Sequence, residues 1–198
     1  MEKHVDYTGS KIGMWLFLFT ELILFGGMFL LYSVYRYKHP QEFHAGAAEL
    51  DVVLGAFNTV ILLTSSMTMA LSILALRKGN KKLSLILQLA TIGLGLLFLV
   101  NKYFEWGAKI HHGLYPGSEQ ILQRSKGEIL FFGLYYTMTG LHGLHVLIGL
   151  AVIGFTVYMT HRERITGEDF VILENTGLYW HLVDIIWIYL FPLFYLIT

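Results

Sequence analysis

Cysteine is absent from this chain of 198 residues. Disulfides, c-type haem attachment, iron–sulfur ligation and thiolate sites for copper or zinc are excluded together. Charge is scarce too: Asp, Glu, Lys and Arg supply 14% of the residues, against about 25% in an ordinary soluble domain. Fourteen basic residues balance fourteen acidic ones, so no nucleic-acid partner is suggested. Of the three prolines, only Pro192 falls inside an apolar run. Hydrophobic residues fill what is left, 55% of the chain in long blocks. That pattern predicts an integral membrane protein.

A bilayer-spanning helix needs roughly 20 apolar residues, and five blocks meet that length: about 12–35, 50–76, 83–107, 128–159 and 176–197. The fold class expected is therefore all-α, a single bundle of five transmembrane helices over residues 1–198, without internal repeats. The fourth block exceeds what a span needs and must tilt or project. The polar start MEKHVDYTGSK shows no small-residue cleavage site, which predicts an uncleaved first helix instead of a signal peptide. The connection 108–127, with HHGLYPGS, reads as an extramembrane loop. Loop charge sets orientation. One side collects Lys3, Lys11, Arg77, Lys78, Lys81, Lys82, Arg162 and Arg164; the other holds Arg36, Lys38, Lys109, Arg124 and Lys126. The excess places the N-terminus inside and the C-terminus outside.

Polar groups at membrane depth stand out, because each ionisable one costs about 2.5–3.5 kcal/mol on insertion scales. They are Glu21 in the first span, Asn58 with the hydroxyls of FNTVILLTSSMT in the second, and Lys102 and Glu105 in the third. The fourth carries His142 and His145 within TGLHGLHVLIG, and the last carries His181 and Asp184 one turn apart in YWHLVDIIW. Asn58, Thr59, Ser65 and Ser66 read as interhelical glue. Lys102 and Glu105 read as a snorkelling lysine beside a carboxylate near one membrane face. His181 with Asp184 fits either an imidazole oriented by a carboxylate or an ordinary pair at a helix start. Glu21 calls for a partner, and the histidines of the fourth and fifth spans are the candidates. Gly140, Gly143 and Gly149 around the paired histidines permit close helix approach.

The same residues bear on other chemistries. Glu21, Glu105, Asp184 and three histidines would suffice in number for a carboxylate-bridged di-iron centre. Bundles holding such centres pair Glu-x-x-His motifs on two helices, and this chain has none. His142 or His145 could serve a haem axially, without further ligands for copper. A transporter would show repeat symmetry and matched broken helices, neither of which is visible. The loop histidines His4, His39, His44, His111 and His112 offer at most local proton buffering.

Taken in order, FTELILF, FNTVILLTSS, YFEW, TGLHGLHVLIG and YWHLVDIIW resemble subunit III of the haem–copper terminal oxidases, cytochrome c oxidase subunit III in particular, over nearly the whole chain. The long form of that family has seven helices whose first two lean away from the other five and hold phospholipid in the cleft. This chain matches from the third helix onward, as the short, five-helix form. The resemblance implies no redox chemistry in this chain: haem and copper sit in partner subunits, and phospholipid is bound. It implies packing on oxidase subunit I, with subunit II and a small subunit IV completing a proton-pumping complex fed by cytochrome c, in a bacterial-type cytoplasmic (inner) membrane. The role implied is to stabilise subunit I and sustain its proton uptake. Glu21 becomes the family's buried carboxylate, near the lipid side or the subunit I contact. His142, His145, His181 and Asp184 become one internal hydrogen-bond network, joined by Asn58 and Glu105 as structural positions. Subunit III of a quinol oxidase, an accessory protein of nitric oxide reductase, and more distantly a free-standing di-metal membrane enzyme are the alternatives.

Overall fold

A computed structural model describes residues 7–197; Lys3 and His4, counted above, lie outside the described residues. Every regular element among them is helical: α1 Tyr7–Lys38, α2 Pro40–Ala48, α3 Val52–Arg77, α4 Lys81–His111, α5 Glu119–Leu122, α6 Lys126–His161 and α7 Val171–Tyr195. Five of these (α1, α3, α4, α6 and α7) are long and apolar enough to cross a membrane. They coincide with the five expected spans; α1, α4 and α6 run further at both ends, α7 starts five residues earlier and stops at Tyr195, and α3 is shifted by one or two residues. The last begins at Val171, ten residues before His181, so His181 and Asp184 sit mid-helix and not at a helix start.

Local chemistry explains where the helices begin. Asp51 caps α3 by accepting from the Leu54 N–H at 3.0 Å, and Asn80 caps α4 in the same way through Leu83. Ser125 and Glu128 form a reciprocal capping box on α6. Two elements lie where only loop was expected. Pro40 opens α2 with its φ already helical, and Ser118 opens the single turn of α5. Both are too short to show a convincing period in the sequence.

The link 78–80 folds α3 back along α4, with Gly79 at φ +77° making the turn. The α7 helix packs on α3 and α6, and α6 closes against α4. The core is aromatic, centred on Trp180, Trp187, Tyr135, Phe98, Phe131 and Phe194. Room for the Trp180 indole comes from two glycines. A Cβ at Gly149 would lie 2.7 Å from that ring, and one at Gly95 would lie 2.9 Å from it. Gly140 similarly faces Trp106, whereas Gly143 meets open space and admits no neighbour of the bundle.

At the periphery, α1 leans on α6 and α7 and buries only Leu18, Phe25 and Tyr32. The Tyr32 hydroxyl donates to the carbonyl of Leu193, the residue after Pro192, where α7 runs out of helical partners. α2 wedges Phe43 between Tyr32 and Phe131, with ring centroids 5.4 Å from each.

Candidate functional site

The polar residues fall into separate clusters, best described by face. The C-terminal face is where α1, α4 and α7 end; the N-terminal face is opposite. Near the C-terminal face, Lys102 does not snorkel. Its ammonium turns inward and reaches Glu105 Oε2 at 2.9 Å, the Tyr135 hydroxyl at 3.1 Å and the Tyr195 hydroxyl at 2.9 Å. Both tyrosines in turn donate to Glu105 Oε1, at 2.8 and 2.6 Å. The ammonium also lies 5.2 Å from the Trp187 ring centre. All three ammonium donors are used and both carboxylate oxygens are paired. That saturation is why the inward position is tolerated. The cluster joins α4, α6 and α7. Sequence reading placed Glu105 as a structural residue but missed Tyr135 and Tyr195 altogether.

Glu21 finds its partner on α6. Its Oε2 lies 2.9 Å from His145 Nε2, and His145 Nδ1 lies 2.8 Å from the Leu141 carbonyl oxygen of its own helix. Phe25, one turn further along α1, covers the imidazole edge-on at 5.3 Å. A peripheral helix is thus pinned to the bundle at mid-depth by a carboxylate–imidazole contact.

His142, one turn from His145, is treated quite differently. It is fully buried, with Phe98 edge-on at 5.5 Å and Trp187 at 5.3 Å, and neither ring nitrogen has a hydrogen-bond partner among the described residues. Asn58 accepts from Asn101 of α4 at 2.9 Å. The α3 hydroxyls do reach across helices: Trp187 donates to Thr59 at 3.0 Å, Trp180 to Ser65 at 3.1 Å, and Thr68 bonds Thr91 at 2.8 Å.

His181 Nδ1 lies 2.6 Å from the Ser66 hydroxyl. Asp184, one turn on, is buried with neither oxygen in hydrogen-bonding geometry, and the Ser66 hydroxyl is its polar neighbour. The expectation of one network through His142, His145, His181 and Asp184 is therefore corrected. They point to different helices: His145 toward α1, His142 into an aromatic cage, His181 toward α3. Residues one turn apart share a face, but a helix in a bundle presents that face to two neighbours.

Two links outside the spans close the loops. Arg124 pairs with Glu49 and, at 3.3 Å, with Glu128, and the Glu49 carboxylate holds its guanidinium above the ordinary value. Lys81 pairs with Glu163 at 2.9 Å. Among the described residues no group of three His, Asp or Glu side chains converges as metal ligands. Grooves score the outside of the bundle. One of about 390 Å³ lies between α1, α3 and α7 and is lined by Lys11, Trp15, Arg77, Glu174 and His181. One of about 300 Å³ between α1, α6 and α7 is almost wholly apolar, as is one of about 370 Å³ between α4 and α6.

Comparison with known proteins places these features. The sequence model of the family described as cytochrome c oxidase subunit III matches residues 2–198. The heme-copper oxidase subunit I+III of Aeropyrum pernix is 30% identical over 98% of this chain, which spans 24% of that longer protein. Cytochrome c oxidase subunit 3 of Alkalihalophilus pseudofirmus is 33% identical, covering 93% of this chain and 85% of its own. The probable quinol oxidase subunit 3 of Staphylococcus saprophyticus is 30% identical, over 95% and 89% respectively.

Proposed function

The chain belongs to the cytochrome c oxidase subunit III family, and from that premise we propose that it is the non-catalytic core subunit III of a proton-pumping haem–copper terminal oxidase. The family match across residues 2–198 carries the reading. In this role the chain spans a bacterial-type cytoplasmic membrane with its N-terminus inside. It packs on subunit I, alongside subunit II and a small subunit IV, in a complex that oxidises cytochrome c. Haem and copper belong to the partner subunits, and this chain supplies rigidity and bound lipid.

Several features support the assignment. In the Aeropyrum relative the name joins subunits I and III in one protein, which fits direct packing on subunit I. The outer face of α1 exposes Trp15, Leu16, Phe19, Leu22, Ile23 and Leu30, and its Gly13, Gly26 and Gly27 leave open surface for another helix to approach closely. The two apolar grooves suit phospholipid acyl chains. Glu21, Asn58, Glu105, His142, His145, His181 and Asp184 hold the bundle's shape, and through it the shape and hydration of the proton entry region in subunit I.

The test is removal of this chain from the assembled complex. Haem spectra should survive while activity decays during turnover; immediate loss of the haem signal would sink the reading. A quinol-oxidising complex is the second reading, favoured by the similarity to the Staphylococcus protein. Purification through a tag on this chain, with mass spectrometry of co-eluting subunits, separates them. A subunit II bearing a copper-binding cysteine pair means cytochrome c, and one lacking it means quinol.

A further inference from the structure

The groove between α1, α3 and α7 carries an ion pair at its mouth. Lys11 and Glu174 pair across its mouth at 3.1 Å, Arg77 stands on the α3 side, and His181 lines its wall. His181 is half-buried and bonded to Ser66 of α3 at 2.6 Å. One turn deeper on α7 lies Asp184, 2% exposed, with both carboxyl oxygens unpartnered and Ser66 beside it. Among the described residues no ion pair reaches it, and the Lys102 ammonium of α4, which touches α7 at Tyr195, is engaged by Glu105. α3 has no ionisable side chain between Asp51 and Arg77. On α1, Lys11 is engaged by Glu174 and Glu21 by His145. On α6, His142 and His145 pack against Trp187 and Tyr179 of α7. On α2, His39 and Glu42 pair with each other near the opposite end of α7.

We propose that Asp184 is an exchangeable proton-binding site of the bundle, reached from the N-terminal face through His181 and Ser66. A buried carboxyl lacking a cation is accommodated as the neutral acid, which brings no unpaired charge into the core. The groove delivers a proton to the outward nitrogen of His181. The imidazole then releases its Nδ1 proton to the Ser66 oxygen, and Ser66, once its hydroxyl swings from the ring toward the carboxyl, passes its own proton to Asp184. One O–H bond forms at Asp184, Ser66 is restored, and the ring is left neutral as its other tautomer. The reverse sequence unloads the site. This inference stands apart from the oxidase assignment and holds or fails with α3 and α7 alone.

Infrared difference spectroscopy on the full chain in lipid nanodiscs tests it. The wild type at neutral pH should show a carboxylic acid C=O stretch that shifts in D2O and disappears in Asp184→Asn. Glu21→Gln should leave that band in place. Ser66→Ala and His181→Gln should keep the band but slow its exchange by about 100-fold, the lower range for a positioned proton-transfer group. Absence of any acid band in the wild type would overturn the proposal without recourse to a variant. Exchange equally fast in both relay variants would overturn the route. A band lost on adding sodium at constant pH would make Asp184 a cation ligand instead.

Discussion

Lys102 and Glu105 come from one helix yet bond to two others, whereas Glu21 and His145 come from two helices and their side chains bond to no third. The first pair sits inside a closed set of six hydrogen bonds shared with Tyr135 and Tyr195. The second is one polar contact on α1, a helix also held by Lys11–Glu174 and by Tyr32 on the Leu193 carbonyl but showing most of its surface to the outside. Both set a carboxyl group against a side-chain nitrogen at membrane depth. What they do for the fold depends on how many elements they tie and on whether every donor and acceptor is matched. The first sets global stability, and the second sets the attachment of one helix.

The comparison can be broken at its stronger end. Lys102→Met strands Glu105 as a buried, unpaired carboxylate and should cost about 3–5 kcal/mol, read as a lowered unfolding midpoint in mild detergent. Adding Glu105→Gln to that variant should recover most of the loss. If the double variant is no better than the single one, stranded charge is not the cause. Tyr195→Phe removes a donor to the carboxylate and an acceptor for the ammonium, for about 2 kcal/mol.

The weaker end predicts a different kind of change. Glu21→Gln keeps a hydrogen-bonding group opposite His145 and should cost about 1 kcal/mol or less globally. Its effect should appear as faster amide exchange along α1 alone. A global loss matching that of Lys102→Met would erase the distinction drawn here. Smallest of all is the exposed Lys81–Glu163 pair. The Lys81 side-chain bond holds the Glu163 carboxyl below its ordinary value. Its contribution is therefore present above the ordinary carboxylate range and fades only as pH falls through the lowered value. Acidification should lower amide protection, taken relative to the intrinsic exchange rate, in segment 162–169 of the wild type more than in Glu163→Gln, and leave the unfolding midpoints of the two alike at each pH.

Much of this was legible beforehand, and for identifiable reasons. Five spans follow from apolar length alone. The need of Glu21 for a histidine partner follows from the cost of a lone carboxylate in hydrocarbon, although only packing chooses His145 over His142. Tyr135 and Tyr195 were invisible because their meeting with Glu105 depends on three helices from distant parts of the chain. In sequence, tyrosines near a membrane face pass for interfacial anchors. The Lys-x-x-Glu spacing of Lys102 and Glu105 was the available signal, and the snorkelling reading sent it outward. α2 was hidden in HPQEFHAGAAEL, where Pro40 marks a start but nine residues cannot establish a period.

The 36 residues of α6 rise about 54 Å at 1.5 Å each, well beyond a hydrocarbon layer of about 30 Å. Its first turn, with Lys126 and Glu128, and its last, with His161, carry polar side chains on continuous helix. Spare length at both ends means a thicker or thinner membrane is met by a small tilt, with no loop drawn into lipid. The helix therefore works as a slip-fit post, and the bundle can keep one internal geometry in bilayers of different depth.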